Sequence, residues 1–583
     1  MQEKRWNKED ILPEINSREY NLLLEQLETN VKFIESYKEK LKPDISIQEF
    51  MKLVNTIENI MEISVRFAHY AYLWFSEETL NQEANSFMTK IEHIMVNHSN
   101  RIMFFSLWFK DLDDKNAERI INYAPNEYKY YLKFIRITKK YTLTEKEEKI
   151  INIKDVTGTD AIFKIYEMIT NAFTYKINKQ ELTRDELSNY VKSNNPELRK
   201  KSYQELYKVY SKEAGVLFEI YKNIILDWKN ENLDLRKHKT PISVRNLSND
   251  VSDKAVDTLL NVCRKNIKVF QDYFRLKAKI CKIKKMTRYD IYTSYGKPEK
   301  NYDIKKSQEL VYKAYKNYSP EMYELAKKVV DANHIDYLPR KGKITGAYAM
   351  DVGTKYLPYV LLNHSDNLRD VFTMAHELGH AVHDILSQNH SILNMQAPLV
   401  LAETASVFGE MLLFESLMKE IKDKKTKIKL IVNKLDDIYA TVIRQSYFIL
   451  FEIKAHELIA KGTDLNELNK AYLENLKEQF GDSIEITDGF KYEWTSIPHI
   501  YHAPFYCYAY AFGNLLVLAL YDKYRKEGKQ FVDKYLKILS YGGSESPSKI
   551  LKEVGIDIED EKFWQEGFDL IKEEVEELKK LIE

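Results

Sequence analysis

Glycine and proline are scarce in this 583-residue chain, with 17 and 13 residues, about half the usual combined share. That scarcity argues against short strands joined by turns and favours long helices, since Lys, Glu, Leu, Ile and Tyr dominate the remainder. Cysteine is nearly missing. Cys263, Cys281 and Cys507 are scattered, offer no disulfide framework and fit a reducing compartment, by default the cytoplasm. Neither sign of charge is in excess, with 88 basic against 88 acidic residues, so neither nucleic acid nor an anionic membrane is an expected partner. No apolar run approaches the ~20 residues of a membrane span, and LLVLALY at 515–521 is far too short. The opening MQEKRWNKEDILP is charged and reads as no secretory signal.

What is present is mainly helical periodicity. From residue 17 to about 275, apolar residues recur at three- and four-residue intervals, as in Ile162, Ile165, Ile169 and Phe173, which predicts packed helices. Asn195 and Pro196 mark one helix start. Residues 333–364 differ: Gly342, Gly346, Gly353, Pro339 and Pro358 punctuate β-favouring runs, predicting a small sheet with GAYAM and LPYVLLN as strands. Pro358 suits an edge or strand-start position. Helical texture returns near 367 and continues, apart from a loop at 482–498, to the C-terminal helix. The expectation is a mostly α protein with an N-terminal helical region, 1–200, and a second region, 201–583, holding the sheet and the motif at 376–403.

That motif is TMAHELGHAVH, residues 373–383. In a helix, His376 and His380 lie one turn apart on one face and can aim both imidazoles at one cation. Glu377 is rotated about 100° from His376, beside such a cation, where a carboxylate can take a proton from metal-activated water. Composition alone predicts on the order of 0.03 H-E-x-x-H matches in a chain this long, so accident is a poor explanation. Asn367 or Asp366 offers a cap, and Val371, Phe372, Leu378 and Val382 give the helix an apolar face. His383 returns nearly to the phase of His376 but lies two turns along, too far to share a small ion, so it is expected to contact substrate, support a ligand or pack in the core. A third ligand must come from elsewhere. APLVLAETASVFGEMLLFE reads as a second helix, in which Glu403 and Glu410 sit among apolar residues, a costly placement unless a cation or hydrogen bonds compensate. Glu403 is the expected ligand, and Glu410 is expected to hydrogen-bond a ligand histidine.

H-E-L-G-H-A-V-H followed 23 residues after His380 by the glutamate of A-E-T-A-S resembles the oligoendopeptidase F branch of the thimet-type zinc metallopeptidases. RWNKEDILP, TGTDAIFKIYEMI, NPELRKKSYQELYKVY, GAYA, LPYVLLN, IPHIYHAPFYCYAYAFG and YGGSESPSKILKEVGIDIEDEKFWQEGF extend the likeness in order along nearly the whole chain. The resemblance implies a large helical body with an internal substrate channel, a small β-sheet next to the HExxH helix, and cleavage of internal bonds in short peptides. It places one Zn²⁺ per chain on His376, His380 and Glu403, and the general base on Glu377.

HIYHAPFYCYAYAFG, 499–513, is dense in aromatics and is read as a helix starting near Pro504, with Tyr506 and Tyr510 one turn apart. In the resembled family this segment donates hydrogen bonds to the scissile carbonyl and its oxyanion; His502 and Tyr506 are the expected donors, with His499, Tyr508 and Tyr510 behind them. An extended peptide could add to a strand edge at GAYAM or LPYVLLN, where Gly346 would permit close approach or serve as a turn glycine. The expected activity is endopeptidase cleavage of short peptides. The alternatives are a helical zinc carboxypeptidase, which would need a cationic group for the substrate C-terminus, and a non-catalytic peptide-binding protein with a structural zinc.

Overall fold

Helices begin where the sequence supplies caps. In the computed structural model, which describes residues 5–296 and 301–583, the Asn195 side chain accepts from the backbone N–H of Glu197 and Leu198 to start helix Pro196–Lys212. Asn367 and Asp370 form a reciprocal capping box that starts helix Leu368–Ser387, the motif helix. The fold is mostly α, as expected. No described helix is long and apolar enough to cross a membrane.

Contacts gather the chain into two units of three segments each. Met1–Glu145, Pro298–Leu417 and Lys523–Gly555 form the first; Lys146–Lys297, Met418–Asp522 and Ile556–Glu583 form the second. The units thus interleave along the chain, unlike the contiguous division at residue 200 read from the sequence. Long-range packing explains the difference: in the first unit, Tyr535 stacks on Phe408 at 4.1 Å and donates from its hydroxyl to the Thr404 carbonyl.

The first unit is built on helices Arg18–Glu35, Ile47–Glu77 and Gln82–Asp111. Phe50, Leu53, Val54, Ile57 and Ile60 recur at helical spacing and are buried, each contributing roughly 1.5–3 kcal/mol of burial. The Phe50 ring stacks on Phe105 with centroids 5.6 Å apart. The predicted sheet is present in the same unit. Its central strand Tyr359–Leu361 pairs in parallel with Ile335–Asp336 and antiparallel with Tyr348–Met350, in register Ala349 to Val360. Pro358 therefore precedes a strand, as one of its two expected placements had it, but LPYVLLN is the centre of the sheet, and of the two predicted strands GAYAM alone forms an edge, opposite Ile335–Asp336. Tyr359, Val360 and Leu361 are all fully buried, which is why that run is continuously apolar.

In the second unit, helices Pro196–Lys212, Ala214–Trp228, Arg444–Ala460 and Leu465–Phe480 surround Trp494, whose indole N–H donates to Asn469 Oδ1 at 2.8 Å. Two departures from the all-helix expectation occur here. Tyr175–Ile177 and Gln180–Leu182 form a hairpin through Asn178 and Lys179, both at positive φ, a primed turn whose Asn-Lys pair lacks the usual glycine signal. Residues 488–496, expected in a loop, wind into a 3₁₀ turn.

Candidate metal centre and active site

The site in the first unit depends on two helices approaching at glycines. Gly379, the x before the second histidine, lies so close to the helix Thr404–Glu420 that a Cβ there would stand 2.5 Å from the Ala405 carbonyl oxygen and 2.7 Å from Ser406 Cα. Gly409 on the facing helix is equally confined, by the Ala375 carbonyl at 2.9 Å and by the Tyr315 hydroxyl. That hydroxyl donates to the same Ala375 carbonyl at 2.5 Å. This close crossing brings the glutamate-bearing segment over the histidines.

Glu403 sits not inside a continuous helix but at the junction between a four-residue turn, Leu399–Ala402, and Thr404–Glu420. This corrects the single helix read from the sequence. Its backbone remains near-helical, φ −82° and ψ 0°, while the break lets its carboxylate turn back over the motif helix. Glu403 Oε2 lies 3.3 Å from His376 Nε2 and 3.5 Å from His380 Nε2, and it accepts from the Ser406 hydroxyl at 2.7 Å. One ligand atom from each of His376, His380 and Glu403 falls within 4.8 Å of the others, close enough to hold one metal ion. The two imidazole rings are nearly perpendicular, 4.8 Å between centroids. His376 Nδ1 donates to Glu410 Oε1 at 2.5 Å, which orients the ring and turns Nε2 toward Glu403.

Glu377 is 6% exposed and lines, with the three ligand candidates, a cavity of about 470 Å³ within the first unit. The edge strand Tyr348–Met350 forms another part of its wall. Burial raises the Glu377 carboxyl above its ordinary value, partly offset by the adjacent His376 and His380. At His376, burial opposes the charged ring, yet the hydrogen bond to Glu410 and the surrounding carboxylates outweigh it and lift the group to about 9. At Glu403 the balance runs the other way: burial would raise the carboxyl, but the two histidines and Ser406 hold it at about 2. As protein groups alone, these are mutually charged partners. His383 is 6% exposed, and burial with help from His380 lowers it to about 4, so it stays neutral beside the cavity it lines.

Gly346, expected near substrate, adopts φ +86° in an open turn before the edge strand, with its carbonyl accepting from Asn363 at 2.8 Å. Positive φ alone accounts for glycine there.

The aromatic segment lies in the second unit, and it is not one helix. A short turn, Pro498–His502, ends at an extended Ala503; Phe505 then takes φ +58°, and helix Tyr508–Glu527 follows. The residue before a proline avoids helical backbone, so Pro504 forces the break that the sequence reading took for a start. Tyr506 precedes the helix, with its ring edge-on to Tyr510 at 5.4 Å and parallel to His499 at 6.1 Å. His502 is exposed and stacks on Phe163 at 4.5 Å. Tyr508 is fully buried, its hydroxyl accepting from Asn249 at 2.8 Å, so it belongs to the core rather than to a substrate wall.

Sequence reasoning missed Gly379, Gly409, Tyr315 and three further groups at the cavity: His69, Asp351 and Asp384. The glycines were visible as small residues inside two strongly apolar helices; the others carried no local signal.

Two histidines, a junction carboxylate and a second, buried carboxylate beside them are a donor set able to hold one metal ion next to a proton acceptor, the equipment of a metal-dependent hydrolase. The chain belongs to peptidase family M3, whose model matches residues 189–570, and a model described as oligopeptidase F matches residues 108–174. It is 28% identical to an oligoendopeptidase F homolog of Borreliella burgdorferi over 97% of each chain, and 25% identical to the oligopeptidase PepF of Bacillus subtilis over 100% of this chain and 87% of that one. Its fold matches the crystal structure of oligoendopeptidase-F from Enterococcus faecium with TM-score 0.72 at 21% identity, covering 96% of this chain and 98% of that one.

Proposed function

We propose that this protein is a zinc-dependent endopeptidase that cuts internal bonds of short oligopeptides. The observation that carries the reading is the convergence of His376, His380 and Glu403 ligand atoms within 4.8 Å, beside a buried Glu377 in one cavity. Two imidazole nitrogens and one carboxylate oxygen fit zinc in a catalytic role, three protein ligands with one position left for water or substrate. When bound, zinc supplies Lewis-acid polarisation of water and of the scissile carbonyl.

The chain's own residues do the rest. Glu410 orients His376 through its Nδ1–H. The Glu377 carboxylate accepts a proton from the attacking water at one oxygen and passes it to the leaving amine, and burial raises its basicity for that task. The free edge of Tyr348–Met350 pairs with an extended peptide through backbone hydrogen bonds, which hold any sequence alike. The family resemblance assigns oxyanion donation to the Tyr506 hydroxyl and a His502 ring N–H, with His499 and Tyr510 packed beside Tyr506. A carboxypeptidase would hold the substrate C-terminus with a cation, and no Lys or Arg is among the described residues lining the cavity.

The test uses peptides acetylated at one end and amidated at the other, with metal analysis of the same preparation. Internal cleavage, one zinc per chain, loss of activity on chelation and retention of zinc by an inactive Glu377→Gln variant are expected. Cleavage by Glu377→Gln at the wild-type rate, or no cleavage of any blocked peptide by wild type, refutes the reading.

A further inference from the structure

One wall of the same cavity gathers carboxyl groups, and no lysine or arginine is among the described residues lining it. Asp384 lies four residues beyond His380, one helical turn and about 6 Å further along the face that carries both histidines. Its carboxylate lines the cavity and has no hydrogen-bond or ion-pair partner among the described residues. Opposite it, the 7% exposed Asp351 ends the edge strand and is fixed by the Gln396 side-chain amide, which donates to Oδ2 at 2.6 Å, and by the Gly353 N–H at 3.3 Å. From the N-terminal helix Ile47–Glu77, His69 reaches the same wall. Its Nδ1 donates to the Asp351 carbonyl at 2.6 Å, because a carbonyl can only accept, so Nε2 is the ring nitrogen left for a ligand.

Two carboxyl groups beside an imidazole, with no lysine or arginine among the described residues of the lining, make a wall that a cationic side chain suits. We propose that Asp384, with Asp351 and His69, forms a specificity subsite for a lysine or arginine side chain at a substrate residue flanking the cleaved bond. The inference rests on the peptidase reading of this cavity. Its chemistry follows from the inventory: an ammonium or guanidinium group brings several donors and a positive charge to two carboxyl groups. Burial and the adjacent Asp351 push the Asp384 carboxyl well above the usual carboxylate range, a like-charge burden that a bound cation relieves. The location sets which part of the substrate is read. One helical turn past the second histidine is the reach of a neighbouring residue's side chain, not of a distant chain end, and the edge strand that delivers Asp351 is the one positioned to align the peptide backbone.

The test compares internally quenched, doubly blocked peptides that differ only in lysine against acetyl-lysine at the residue before or after the cleaved bond. For the zinc-loaded wild type, kcat/KM for lysine is expected to exceed that for acetyl-lysine at one of these positions by at least about tenfold. In Asp384→Asn the ratio falls to within about threefold of one, while Asp384→Glu keeps a preference. Both peptides meet the same preparation, so the ratio does not depend on the fraction folded. Equal rates in wild type, or an unchanged ratio in Asp384→Asn, overturns the proposal. Calorimetry on Glu377→Gln reads binding without turnover: the lysine peptide should bind at least about tenfold tighter than its acetylated twin. If wild type cuts nothing, the peptidase reading fails, and this affinity ratio alone upholds or overturns the subsite. A second equivalent of zinc that is lost in Asp384→Asn overturns it in favour of a metal.

Discussion

Replacing Gly379 with alanine should perturb the proposed metal centre without touching any of its candidate ligands. The new Cβ would stand 2.5 Å from the Ala405 carbonyl oxygen and 2.7 Å from Ser406 Cα, both backbone atoms of the segment that carries Glu403. Backbone cannot swing aside as a flexible side chain does, so the two helices must part by roughly 0.9 Å to restore ordinary contact. Such overpacking costs about 1–3 kcal/mol. The same displacement moves Glu403 Oε2, now 3.3 and 3.5 Å from the two histidine nitrogens, relative to its partners. Metal–ligand distances tolerate only about 0.2 Å, so the zinc affinity of Gly379→Ala should fall about 10–100-fold, as it does when a supporting group is lost. Competition against a chromophoric chelator measures the affinity, and thermal melting measures the strain. Gly215→Ala is the control: a Cβ there meets nothing within 4 Å, so the change should be neutral or mildly stabilising. A Gly379→Ala protein that binds zinc within threefold of wild type and melts at the wild-type temperature would refute the close-crossing account.

Glu410→Gln removes the charged acceptor for His376 Nδ1 and should lower zinc affinity about tenfold or more, read by the same competition assay. Tyr506→Phe should lower kcat by about 10²-fold or more with a much smaller change in KM, since the lost hydrogen bond forms only as the oxyanion develops; equal changes in both would remove Tyr506 from that role. Glu452 concerns stability. Burial raises its carboxyl from its ordinary 4.5 to about 8, against the opposing hydrogen bond donated by the Phe505 N–H. The folded chain therefore keeps this proton up to about pH 8, whereas the unfolded chain releases it near 4.5, so this group's contribution falls as pH rises from 4.5 to 8. Glu452→Gln keeps the acceptor for Phe505 and should flatten the melting temperature over that window, with a gain of a few kcal/mol order at its alkaline end. A variant with the wild-type pH profile contradicts this.

Much of the site was legible because its chemistry is local in sequence. The motif helix announced itself through H-E-x-x-H, its Asn367 cap and its apolar face, and two carboxylates among apolar residues had few affordable explanations. Glu410 was expected beside one of the motif's histidines, and its carboxylate accepts from His376 Nδ1. The small sheet was readable from its glycines, prolines and β-branched runs. Which strand is central was not, because pairing depends on partners far along the chain. The hairpin at Asn178 and Lys179 and the break at Phe505 were missed because each rests on positive φ at residues other than glycine. His69 was invisible for a simpler reason: 282 residues separate it from the Asp351 carbonyl it holds.

The interleaving of the two units bears on how the protein is made. The helix Thr404–Glu420 is covered by Tyr535, and the loop ahead of it is closed by Gly543, whose N–H donates to the Asn394 carbonyl at 2.9 Å, while Gly542 leaves room for no side chain against the Met395 carbonyl. All of that cover comes from Lys523–Gly555, translated more than a hundred residues after Glu403. During synthesis the first unit therefore cannot close when its earlier segments leave the ribosome, and a nascent chain stalled before residue 523 presents the histidines and Glu403 on an unfinished support. Completion of the site is thereby tied to the synthesis of Lys523–Gly555, long after its own histidines and Glu403 have been made.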